Sequence, residues 1–270
     1  MKSILLHLET GPTANGRLQC ALDIARAESA HLTCLAVTPL DAFVAMDPFG
    51  GVYAMPTLLE AITEIEEQLR TKLEIRMASE DVSWNYVHVS GYPPSAIASH
   101  ARLADLVVLG KPGGHAGREP MALLGEVVLK VSTLVLAVPD KARRFDLFAP
   151  AAIGWNGSIE SANAVRLALP LLRHAASITV ITAEEEKKAH DFPDSDICAY
   201  LSRHGLNASL EYLGTDEPNV SDALLLKVGE VGAGLFVMGA YGHSRVREYV
   251  FGGVTRHMLS DLPVPLLMAH

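Results

Sequence analysis

Gly239-Ala-Tyr-Gly242, nine further residues, then Gly252-Gly253-Val254-Thr255 is the stretch whose residue types and spacing suit chemistry at an anion. It follows the apolar run Leu235-Phe-Val-Met238, so the first glycine falls at the C-terminal end of a predicted strand. Glycines there let backbone N–H groups approach an anion with no Cβ in the way. The second Gly-Gly pair opens a helix-patterned segment, Val254-Thr-Arg-His-Met-Leu259, whose N-terminus would add N–H groups and the positive end of its dipole. Arg245 and Arg247 in the spacer could reach phosphate oxygens, and His243, Arg256 and His257 could do likewise.

Other chemistry is absent. No Gly-x4-Gly-Lys-(Ser/Thr) occurs, which argues against a P-loop NTPase, and no Gly-x-Gly-x-x-Gly follows a predicted first strand. No Gly-x-Ser-x-Gly elbow supplies a hydrolase nucleophile, and no histidine pair has the HExxH spacing of a zinc site. Cys20, Cys34 and Cys198 are too scattered for a disulfide framework or a CxxC metal site. His7 lies in a strand and reads as a core residue; His100 lies on a helix near the surface. Trp155 could stack on a base, although a core or rim position accounts for it better. Ser158 reads as a helix N-cap.

The elements that would position these residues repeat. Ala104-Asp-Leu-Val-Val-Leu-Gly110 matches Ala233-Gly-Leu-Phe-Val-Met-Gly239, each a buried-strand run ending in glycine after an amphipathic stretch. Thr133–Val138 matches Val264–Ala269, and Ile4–Thr10 matches Ala152–Ser158. Helical stretches follow the first strands at 16–30 and 158–174, and the second strands begin at Leu32 and Ile178. A strand–helix alternation of five strands therefore occurs twice, offset by roughly 130 residues. Continuous apolar strands alternating with helices predict a parallel sheet covered on both faces. The charged, aperiodic segment Pro139–Asp146 reads as a linker, giving domains at 1–142 and 143–270. A long insert from Leu40 to Pro56 interrupts the first copy and reads as a surface loop packed by Phe43, Phe49 and Tyr53, or as a lid. A helix from Thr57 to Met77 is expected after it.

Composition narrows the class. The chain has 270 residues, 49% hydrophobic and 20% charged, which describes a globular protein with a substantial core. The net charge of −9 is evenly spread, with 11 basic and 16 acidic residues in 1–142 and 11 and 15 in the remainder. Neither half is a basic module, which argues against nucleic-acid binding. No apolar stretch approaches the ~18 residues that span a bilayer, so no membrane association is expected. The N-terminus lacks the pattern of a signal peptide, and the cytoplasm is the expected compartment.

The glycine pattern and the doubled α/β order together resemble the universal stress protein family, whose signature is G-x2-G-x9-G-(Ser/Thr), and the resemblance covers nearly the whole chain. It implies two five-stranded parallel sheets with helices on both faces, paired through their last strands, Thr133–Val138 and Val264–Ala269, as an intramolecular pseudo-dimer. It also implies ATP or a related adenine nucleotide across the C-terminal strand ends, where open α/β sheets bind ligands. Carried onto this sequence, the site comprises Asn156, Ala183, Gly239, Gly242, Gly252, Gly253, Val254 and Thr255. Asn156 stands where the family's first strand has Asp, and Ala183 where a backbone contacts adenine. Gly253 stands where the family has Ser or Thr, losing one hydroxyl donor worth ~1 kcal/mol, with Thr255 as a partial substitute.

The first copy departs further. Gly125 follows Gly113 by twelve residues rather than ten, Glu126 replaces the hydroxyl residue, and Glu9 replaces the first-strand Asp. A carboxylate facing the phosphate seat would repel it, so the first half is expected to be nucleotide-free. Two function classes stay open. One is a stress-response regulatory module holding one adenine nucleotide per chain in its second half and biasing a protein partner. The other is a nucleotide-free interaction scaffold of the same fold. A slow ATPase ranks behind both, because the glycine loop offers no general base. A homodimer of pseudo-dimeric chains is compatible with either.

Overall fold

The computed structural model describes residues 1–39, 55–110, 120–183, 194–214, 220–241, 258–259 and 263–270. The first half contains β1 (Ser3–Leu8), α1 (Ala14–Glu28), β2 (His31–Thr38), α2 (Met55–Met77), β3 (Trp84–Ser90), α3 (Pro93–His100), β4 (Leu106–Gly110), α4 (Pro120–Lys130) and β5 (Leu134–Val138). The second contains β6 (Ala151–Trp155), α5 (Ile159–Leu172), β7 (Ile178–Ala183), α6 (Asp194–Arg203), β8 (Ala208–Leu213), α7 (Val220–Glu230), β9 (Leu235–Gly239) and β10 (Leu266–Ala269). Most of the expected insert at 40–56 lies outside the described residues.

The strands form one ten-stranded sheet in the order β3-β2-β1-β4-β5-β10-β9-β6-β7-β8. Each half is internally parallel, and the halves meet where β10 runs antiparallel to β5, with Leu267 opposite Leu136. The expected pairing of the two last strands is therefore present. Pairing is possible because every residue of β5 and β10 is apolar and buried, so neither edge could face water without exposing both apolar side chains and main-chain polar groups.

Alternation along each strand sends side chains to two separate cores. Leu136, Leu267, Ile4, Ile153 and Val237 face the layer made by α1, α2, α5 and α6. Val135, Met268, Leu5, Ala152 and Phe236 face the layer made by α3, α4, α7 and the buried pair Met258-Leu259. Both cores run across both halves. The helices α1 and α5 are also joined by His174, whose Nε2 pairs with Glu28 Oε1 at 2.8 Å. Burial would raise the Glu28 carboxyl, but hydrogen bonds from the Met1 amino group and His174 outweigh it and hold it below the usual range.

Candidate functional site

In the second half, β6 lies between β7 and β9, and the chain leaves it by α5 on one face while it enters β9 from α7 on the other. Divergence of the two crossovers makes the C-terminal ends of β6 and β9 the switch point, where open α/β sheets bind ligands. Register brings the candidate residues to it. Trp155 pairs with Thr182 and Gly154 with Met238, so Asn156 follows opposite Ala183 and Gly239 stands one step back, opposite Trp155, at the ends of three adjacent strands. The structure thus brings these three together. Gly242, Gly252, Gly253, Val254 and Thr255, with His243, Arg245, Arg247, Arg256 and His257, lie outside the described residues.

Local chemistry explains each placement. Asn156 Oδ1 accepts from Ser158 N–H at 3.1 Å, and Ser158 Oγ accepts from Ser161 N–H at 3.1 Å, so the two side chains start α5 as an Asx turn followed by an N-cap. The N-cap role expected for Ser158 is present. Gly239 touches the same turn: a Cβ there would stand 2.5 Å from Ser161 N and 2.7 Å from the Glu160 carbonyl carbon. Only glycine lets α5 close on β9. Beyond it, Ala240 N–H donates to Ala269 O at 2.8 Å, and Tyr241 adopts a left-handed conformation with φ 67°. A non-glycine residue there is strained, and such strain gathers at ligand sites. Sequence spacing gave no sign of Tyr241, which stacks edge-on to His270 and whose phenol is pushed up by burial.

Trp155 is buried and belongs to the core, with its Nε1 lacking a hydrogen-bond partner. Burial pushes the Cys20 thiol up to about 12, with Asp23 adding to it, and does the same for Cys34, leaving both unreactive near neutrality. Among the described residues no three His, Cys, Asp or Glu side chains gather as a metal site, and no helix is long and apolar enough to cross a membrane.

The equivalent place in the first half is built differently. Arg17, five per cent exposed, reaches from α1 to the ends of β1 and β4, where Nη1 donates to Glu9 Oε2 at 2.7 Å. Its guanidinium occupies the space that a side chain at Gly110 would need. His7 lies alongside, with Nδ1 3.6 Å from Glu9 Oε1. Burial, with a smaller push from Arg17, outweighs the Glu9 carboxylate and lowers the His7 imidazole to about 4. His7 is the core residue that the sequence suggested. Sequence reasoning missed Arg17; the available signal was an arginine on the apolar face Leu18-Cys20-Ala21, eight residues after an unexplained Glu9.

Gly125 and Glu126 correct another expectation. Helix α4 begins at Pro120, so both residues are inside it rather than at its N-terminus. The Glu126 carboxylate accepts from Tyr92 Oη at 2.6 Å and from Lys130 Nζ at 3.3 Å. Its charge is taken up by α3–α4 contacts and not spent against a phosphate seat.

This is the fold of the universal stress proteins. The chain is similar to a universal stress protein from Archaeoglobus fulgidus DSM 4304, with a TM-score of 0.75 at 14% identity over 98% of this chain and 97% of that one. It is also similar to a putative universal stress protein from Pseudomonas aeruginosa UCBPP-PA14, with a TM-score of 0.55 at 17% identity over 100% and 93%. A functionally unknown protein from Pseudomonas aeruginosa PAO1 gives 0.54 at 17% identity over 100% and 92%. No family model matches the sequence, and comparison with curated proteins gave no match.

Proposed function

We propose that this chain is a tandem universal stress protein, with domains at 1–142 and 143–270, whose second half holds one adenine nucleotide and uses occupancy to bias contact with a protein partner. The observation that carries the reading is the placement of Asn156, Ala183 and Gly239 at the C-terminal ends of the adjacent strands β6, β7 and β9, beside the switch point between β6 and β9. The glycine spacing that continues from Gly239 to Thr255 suits an anion at that crevice. The first half supports a single nucleotide per chain, since Glu9 and Arg17 already neutralise each other at its strand ends.

A second reading, the nucleotide-free scaffold, is favoured by one contact: Gly239 is already required for closing α5 on β9. The two readings separate on purified protein to which no nucleotide has been added. After denaturation, chromatography and mass measurement should find close to one adenine nucleotide per chain, or titration with ATP should saturate at one. Gly242→Glu and Gly252→Glu should abolish that binding with the fold intact, and Gly113→Glu should leave it unchanged. An empty protein that gives no heat with millimolar ATP establishes the scaffold, and equal loss from all three variants overturns the asymmetry.

A further inference from the structure

The layer that covers β6 and β7 contains a groove of about 250 Å³ between α5 and α6, with Trp155 at the end of β6 in its lining. Ile4 stands opposite Leu106 and Ala151 opposite Leu235, so Leu8 and Trp155 occupy equivalent strand ends. Arg17 and Ala162 are each the fourth helical residue after the N-caps Thr13 and Ser158. In the second half that position carries only the Ala162 methyl group, which lines the groove together with Trp155.

The lining has a definite chemistry. Trp155, Val165, Ile197 and Tyr200 supply flat and aliphatic surface, and Tyr200 is itself packed on His204 with ring centroids 4.7 Å apart. Charges are divided between the ends. Both helices connect parallel strands and so run in the same direction, away from the C-terminal strand ends. Asp196 lies near the start of α6, and Arg203 is its last residue, about 10 Å further along the axis at 1.5 Å per residue. Arg166, the eighth residue of α5, also lines the groove, and among the described residues its guanidinium makes one hydrogen bond, to Asn163 Oδ1 at 3.4 Å. The two guanidiniums offer forked donors to one planar oxyanion.

We infer that the α5–α6 groove binds a small planar aromatic carboxylate, with its ring against Trp155 and Tyr200 and its carboxylate between Arg166 and Arg203. The volume is just under the ~300 Å³ at which drug-sized pockets begin, which suits a small ring system. Asp196 at the opposite end accepts a hydroxyl or amino substituent. The site is independent of the nucleotide reading, since none of its residues belongs to the glycine loop.

The test uses 2-naphthoate as probe, with calorimetry on the full chain and fluorine resonances from 5-fluorotryptophan. Trp155 and Trp84 are the two tryptophans, so Trp84, on the edge strand β3 of the other half, is an internal control. The expected result is saturable binding of one probe per chain, with the Trp155 resonance shifted and the Trp84 resonance unmoved. Ala162→Phe, which fills the groove, and the surface double variant Arg166→Gln/Arg203→Gln should each weaken binding at least about tenfold, equivalent to ~1.4 kcal/mol. The neutral 2-naphthamide should bind more weakly than the acid to the unaltered protein. No binding at millimolar probe, an unmoved Trp155 resonance, or undiminished affinity in the double variant overturns the assignment. Because the two arginines are exposed, the double variant decides the matter even where Ala162→Phe disturbs the fold.

Discussion

Single residues at the two strand-end crevices show why similar halves have different capacities. Arg17 is a buried cation whose partner, Glu9, is 41% exposed, so the pair is solvated from the carboxylate side only. The same corner holds His7 neutral, and that has a consequence for stability. With an ordinary value near 6.5 in the unfolded chain and about 4 in the folded one, His7 takes up a proton first on unfolding. Between these values the unfolded state binds more protons, so stability falls as pH falls from 6.5 toward 4, by up to about 3 kcal/mol. Urea titrations across that range should show the loss, and His7→Leu should flatten the dependence by a comparable amount. An unchanged pH profile in that variant would mean that the imidazole is not held neutral.

At the scale of elements, the second crevice depends on how closely α5 approaches β9. The approach requires no side chain at Gly239, whereas the corresponding space beside Gly110 is taken by the tip of Arg17, which can swing aside. Gly239→Ala forces Cβ into the main chain of Glu160 and Ser161, and is expected to cost about 1–3 kcal/mol, more than Gly110→Ala. Chemical denaturation of both variants checks the order; equal costs would show that α5 yields easily. The same packing makes Gly239 a poor choice for testing nucleotide contact, and Gly242 the better one. At the other crevice, the early start of α4 at Pro120 turns Glu126 toward Tyr92 and Lys130. Glycine spacing alone does not record where a helix begins.

For the whole molecule, the decisive contact is the antiparallel β5–β10 pair, which converts two parallel sheets into one with continuous cores on both faces. Shared cores predict a single unfolding transition. Calorimetry should give one endotherm near the whole-chain enthalpy, about 190 kcal/mol at 0.7 kcal/mol per residue near 60 °C. Leu267→Ala, at the centre of the pair and fully buried, should lower stability by about 2–5 kcal/mol without splitting that transition. Two separate endotherms would show that the halves are thermodynamically independent.

The sequence by itself determined the alternation of strands and helices, the repeat, and the pairing of the last strands as an expectation from resemblance. The alternation and the repeat follow from local periodicity, whereas the pairing came from the resemblance: a run such as Leu134–Val138 is apolar at every position because both faces of a parallel strand are covered. It also showed the Ser158 cap and the core positions of His7 and Trp155, since capping and burial are legible in a few neighbouring residues. Tertiary structure alone decided what meets across sequence distance. Arg17 against Gly110, Gly239 against the first turn of α5, Tyr241 in its left-handed turn, and the groove between α5 and α6 all depend on the separation of packed elements. That separation is set by side-chain volumes on two surfaces at once, and no pattern within one segment records it.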